Sequence, residues 1–195
     1  MASKLDIFLL TITITFAILH VILAGDPDIT SDFILPPNIT SVNGTFFTFT
    51  GTRNIFQTPL PTTFKVTKAT KTEFPALDGQ SVSYAILQFP NGSVNPPHTH
   101  PRSAELLFLL VGSLQVGFID TKNVLFCQTL EAGDIFVFPK GLVHFQYATD
   151  NSIAISGFGS ANAGTCFLLL GLLRKLNKRH TYGDFVNAYE IHEDK

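Results

Sequence analysis

The chain has 195 residues, 45% of them hydrophobic and only 14% charged, which is enough for one domain with a substantial core and too short for two comfortable ones. Fifteen acidic against thirteen basic residues leave a formal net charge of -2, which gives no electrostatic footprint for nucleic acid and excludes that class of partner. Nineteen phenylalanines and frequent Val, Ile and Thr, punctuated by Gly and Pro, favour many short strands over helices.

Residues 1–24 read as a signal peptide. Lys4 precedes an apolar run from Ile7 to Leu23, and the small Ala24 and Gly25 come just before the polar Asp26 and Asp28. A retained membrane anchor is the competing reading, but Thr11, Thr13, Thr15 and His20 interrupt the run, which is also short for a bilayer span. Secretion is therefore expected, with no stable membrane span once the leader is removed. Acceptor sequons for glycosylation at Asn38, Asn43 and Asn91 are consistent with that route.

Residues 25–45, rich in Pro, Asn and Asp, read as an extended N-terminal arm, and residues 46–163 as the folded domain. Within it, short apolar runs alternate with turn residues. Strands are predicted over 46–50, 63–68, 81–89, 105–111, 114–120, 124–130, 134–138, 144–148 and 153–158, a regular spacing that marks an all-β sandwich or barrel. Leu106 to Val111 is apolar on both faces and predicts a strand packed from two sides. The tail, residues 164–195, changes character: an apolar stretch from Phe167 to Leu173 and a basic one from Arg174 to His180 predict a short helix. Cys127 and Cys166 are the two cysteines, and either a disulfide between them or two buried thiols fits the sequence.

The chemistry concentrates at two turns. In the stretch from Gly92 to Gly112, His98 and His100 are two residues apart, so a strand presents both imidazoles to one face. Glu105 lies at an odd offset from His98, which demands a bend, and Pro97 and Pro101 are suited to supply it. Downstream, the Pro139-Lys140-Gly141 turn reverses the chain and brings His144 back beside the first motif. Three imidazoles and one carboxylate suit Mn, Fe, Co, Ni or Zn, whereas Ca and Mg prefer oxygen shells and softer centres want thiolates. His180 and His192 lie in the polar tail and read as solvated.

The first stretch fits G-x5-H-x-H-x4-E-x6-G from Gly92 through His98, His100 and Glu105 to Gly112. The second fits G-x5-P-x-G-x2-H-x3-N from Gly133 through Pro139, Gly141 and His144, with Ala148 in place of the final asparagine. Together with DPD at Asp26 to Asp28 and the flanking segments FPALDGQSVSYAILQFP and VHFQY, these resemble the two boxes of the cupin superfamily and, within it, of plant germins and germin-like proteins.

The resemblance implies a cupin jelly-roll β-barrel holding a manganese ion on His98, His100, Glu105 and His144. Asn95 and Gln146 would stand beside it to orient ligands or substrate. It further implies a glycosylated protein of the plant apoplast, the extracellular space, acting as a homo-oligomer, trimer or hexamer, on a small anionic or oxygen-species substrate. Superoxide dismutase activity is expected ahead of oxalate oxidase activity, with a role in defence. A non-catalytic storage protein (nutrient reservoir) or receptor-like binding protein is the alternative. The chain departs from the family pattern at three places. Ala85 occupies the position of a second substrate-holding asparagine; Ile34 and Phe47 replace the usual N-terminal disulfide; and from Cys166 onward the text that clasps neighbouring subunits is gone.

Overall fold

The structure is a computed structural model that describes residues 26–167. The leader and the basic part of the tail, with its predicted helix, lie outside the described residues. Ten strands run in order: β1 (Lys65–Ala69), β2 (Ser83–Phe89), β3 (Val94–Thr99), β4 (Glu105–Val111), β5 (Ser113–Ile119), β6 (Leu125–Glu131), β7 (Ile135–Phe138), β8 (Val143–Ala148), β9 (Ser152–Phe158) and β10 (Cys166–Phe167). They form two five-stranded antiparallel sheets, ordered β1-β2-β9-β4-β7 and β10-β3-β8-β5-β6. This is the expected all-β jelly roll. Among the described residues, helix is limited to short 3-10 turns at Arg53–Phe56 and Pro75–Leu77.

Period-two alternation decides which side chains enter the barrel. Leu87 and Phe89 on β2, Leu107 and Leu109 on β4, Leu114 and Val116 on β5, Leu130 on β6 and Phe138 on β7 share one buried cluster. Phe64 closes over it, its ring centroid 4.6 Å from that of Phe89. Along β8 the inward residues are His144, Gln146 and Ala148, which pair with Phe118, Val116 and Leu114 on β5. The interior therefore grades from imidazole through amide to aliphatic along the barrel, placing the polar residues at one end and the apolar core at the other.

Three local expectations are corrected. The segment 46–50 is not a strand: Phe46 N–H donates to Asn43 O at 3.0 Å and Thr48 Oγ to Gly44 O at 2.8 Å, so local turns satisfy its backbone. Strand β4 is buried on one face only, for Leu106, Phe108, Leu110 and Val111 remain exposed beside Ile135 and Val137 of β7. Cys127 and Cys166 are free and exposed, so they are neither bridged nor buried. They sit on β6 and β10, the opposite edges of one sheet, about 19 Å apart at four strand spacings, well beyond the reach of a disulfide.

The N-terminal segment is fastened without a disulfide. The Asp26 carboxylate accepts from Ser160 Oγ at 2.7 Å and from the Ala161 N–H. Gln80 donates through its side chain to Asp32 O at 3.1 Å, and Phe33 meets Phe47 edge-on at 5.2 Å. Asn38, Asn43 and Asn91 are all exposed. Phe89 is fully buried at the centre of the apolar end. Phe89→Ala should cost about 3–5 kcal/mol in urea unfolding, read as a lower midpoint.

Candidate metal centre

His98 lies near the end of β3, directly opposite His144 on β8, and His100 follows just past the strand. The required bend is a change of sheet: Glu105 opens β4 in the opposite sheet. Pro101 and Arg102 turn the chain between them. Arg102 is held by its N–H to Ala163 O at 3.2 Å and by its guanidinium to Asn162 Oδ1 at 3.1 Å. The second turn meets the first, because Gly141 N–H donates to His100 O at 3.3 Å. Gly141 has φ +77°, a conformation that glycine adopts without strain. Gly112, at the end of the first box, has φ +88°, and a Cβ there would lie 2.2 Å from Asn151 O.

The four residues converge in a buried place. His98, His144 and Glu105 are each 2% exposed and His100 is 7% exposed. One ligand atom from each lies within 4.8 Å of the others. Every imidazole is oriented from behind by a backbone carbonyl: His98 Nδ1 by Pro96 O at 2.7 Å, His144 Nδ1 by Leu142 O at 2.9 Å, and His100 Nδ1 by Gly164 O at 2.5 Å. A neutral ring that donates from Nδ1 carries its lone pair on Nε2. For His100 and His144 that atom faces Glu105 Oε2, at 3.0 and 3.2 Å. Burial, reinforced by nearby His144, pushes His98 down to about 3, so this ring stays neutral at physiological pH. Burial opposes ionisation of Glu105, and the lowering that His100 and His144 exert on it requires a proton on Nε2; with the protons on Nδ1, a bound cation is what takes that place.

Lone pairs from neutral imidazoles and one ionised carboxylate, aimed at one point, fit a divalent transition metal. Glu105 Oε1, turned away from that point, accepts from Ser156 Oγ at 2.5 Å and from Gln146 Nε2 at 3.3 Å. Gln146 Oε1 in turn accepts from Asn95 Nδ2 at 2.7 Å. Asn95 precedes His98 by an odd offset yet faces inward. The reason is a bulge at Pro96 and Pro97, where the register shifts between Asn95/Gln146 and His98/His144. The sequence-predicted residues thus assemble, with Asn95 and Gln146 behind the carboxylate.

Residues that the sequence did not single out complete the shell. Ser156 lies within an ordinary alternating strand, without motif or turn to mark it. Phe158 packs edge-on against His100 at 4.8 Å, and Phe138 stacks on His144 at 4.5 Å. Phe167 on β10 is in register with His98, and their ring centroids are 5.7 Å apart. For Ser156, Phe158 and Phe138 the only sequence cue was phase, each falling at an inward position of its strand; Phe167 is half exposed and lay in the stretch expected to be helical.

Comparison with known proteins agrees with this geometry. The family model described as cupin matches residues 53–184. A putative germin-like protein 9-2 of Oryza sativa subsp. japonica is 56% identical over 169 residues, 83% of this chain and 79% of the relative. Among solved structures, an oxalate oxidase aligns at 28% identity and TM-score 0.63 over 83% of this chain and 95% of its own. Peruvianin-I, a cysteine peptidase from Thevetia peruviana latex, aligns at 25% identity and TM-score 0.65 over 73% and 98% respectively. The fold and the His/Glu cluster define a cupin. More narrowly, the chain belongs to the germin-like proteins of that family.

Ser156→Ala removes the shortest hydrogen bond to Glu105 without touching a metal ligand. It should weaken metal retention about 10-fold or more in a chelator competition while leaving the circular dichroism unchanged.

Proposed function

We propose that this chain is a secreted manganese-binding germin-like protein of the plant apoplast that removes superoxide. The observation that carries the reading is the buried convergence of His98, His100, His144 and Glu105, with the imidazole Nδ1 atoms tied to backbone carbonyls. Manganese held there by His98, His100, Glu105 and His144 would supply one-electron redox chemistry. The chain's own residues fix the remaining conditions. Three carbonyls hold the rings, Ser156 and Gln146 hold the carboxylate, and Phe138 and Phe158 pack on the His144 and His100 rings and keep bulk water from them. Small size and negative charge are then the properties that a substrate needs to approach.

Oxalate oxidation is a second reading, favoured by the likeness to an oxalate oxidase. The groups facing the site support it less well. Asn95 is already committed to Gln146, and Ala85, which is 7% exposed on the inner face of β2, offers no hydrogen-bond donor. Peptidase activity is not carried over from peruvianin-I: among the described residues neither Cys127 nor Cys166 hydrogen-bonds a histidine, so neither thiol has a base beside it.

Glycosylation at Asn38, Asn43 and Asn91 belongs to the same proposal and is supported by their exposure. Assembly into a homo-oligomer is supported by the uncovered apolar face of β4 and β7, where Leu106, Ile135 and Val137 are each more than half exposed. Ile135→Glu combined with Val137→Glu should lower the mass measured by light scattering, while an unchanged mass would remove this face from the interface.

The reaction itself is tested with manganese-loaded protein. Wild type should consume superoxide catalytically, and His98→Ala should lose stoichiometric manganese and fall to the uncatalysed background. Equal rates for the two proteins at equal total manganese would sink the proposal.

A further inference from the structure

The wall beside the metal centre carries a cation that the proposed function has not used. On β1, an edge strand, Lys68 pairs directly with Ala85 of β2, and Ala85 pairs with Ser156 of β9. Directly paired residues share a face, and Ala85 belongs to the buried cluster. By register, Lys68 is therefore on the inner side of its sheet. The row Lys68, Ala85, Ser156 ends at the hydroxyl that hydrogen-bonds Glu105.

Lys68 and Ala85 also line one cavity of about 200 Å³, together with Ser83, Phe158 and Gly164. Its far wall is the back of the metal centre. Phe158 packs on the His100 ring, and Gly164 O receives His100 Nδ1. Glu73, the carboxylate in the same wall, is turned onto Thr70, accepting from its N–H at 3.0 Å and its Oγ at 2.6 Å. Among the described residues Lys68 makes no direct ion pair, although it is near enough to Glu73 to lower that carboxyl.

We infer that Lys68 and the cavity over Ala85 form an access subsite that concentrates small anions beside the metal centre. Two strand spacings, about 10 Å, separate the Lys68 and Ser156 backbones, comparable to the screening length at about 0.1 M salt. Ala85 lies between them in that row, and it lines the cavity on the Lys68 side. The inference deepens the superoxide reading, on which it rests, by naming the residue that selects for negative charge.

The test is a calorimetric titration of the manganese-loaded full secreted chain with azide and, separately, with oxalate. Lys68→Met keeps the aliphatic stem and removes the charge from an exposed position. It should bind azide about fivefold more weakly than wild type at equal manganese content, and raised sodium chloride should weaken wild type but hardly affect the variant. Loss for azide with no oxalate binding in either protein assigns the subsite to small monoanions; parallel loss for both probes assigns it to small anions in general.

Azide affinity unchanged by Lys68→Met overturns the inference, and so does wild type that binds neither probe. If the variant instead aggregates with its affinity intact, Lys68 only guards the sheet edge and the subsite is refuted. Superoxide consumption measured on the same samples keeps the two ideas apart. Lys68-dependent azide binding without superoxide turnover upholds the subsite while refuting the reaction; turnover with unchanged azide affinity does the reverse.

Discussion

The structure turns on an electrostatic requirement at the end of the barrel. A carboxylate and three imidazoles occupy one buried volume, with their ligand atoms within 4.8 Å of one another. Taking a carboxylate out of water costs several kcal/mol unless a partner compensates it, and a neutral imidazole presenting a lone pair is no such partner. With their Nδ1 protons engaged by Pro96, Gly164 and Leu142 carbonyls, the rings have only Nε2 to turn inward. A bound divalent cation removes the conflict at every donor at once, so folding and metal binding become coupled equilibria.

The rest of the barrel is arranged around that requirement. Two sheets are needed because the ligands approach from both: His98 and His144 from adjacent strands of one, Glu105 from the other. The bulge at Pro96 and Pro97 brings Asn95 onto the ligand face, and the Asn95, Gln146 and Ser156 layer then satisfies the carboxylate oxygen that faces away from the cluster. Among the described residues no buried side-chain polar atom lacks a partner. Beyond this layer the core becomes wholly apolar, so the end that binds and the end that stabilises are distinct.

How much of this was legible depended on how local the physics was. The i+2 spacing of His98 and His100, the odd offset of Glu105 and the reversal before His144 each carried a geometric implication, and the resulting cluster has that geometry. Strand β3 was not among the predicted strands, because Pro97 read as a place for a bend where the fold takes up Pro96 and Pro97 in a bulge. Ser156 and Lys68 were invisible for a different reason: their importance comes from cross-strand register, which a single strand does not encode. The outer face of β4 misled because apolar residues on both sides of a strand specify burial without saying what covers them. The cysteines misled because sequence separation says nothing about which sheet edge each one reaches.

Whether the cluster holds a metal ion is read most directly by elemental analysis of the purified protein joined to its melting temperature before and after chelation. About one divalent transition-metal ion per chain is expected, manganese under the proposed function, with a marked fall in melting temperature on its removal that is reversed when it is restored. Protein that is purified without metal, and melts at the same temperature with or without added manganese, would contradict that expectation.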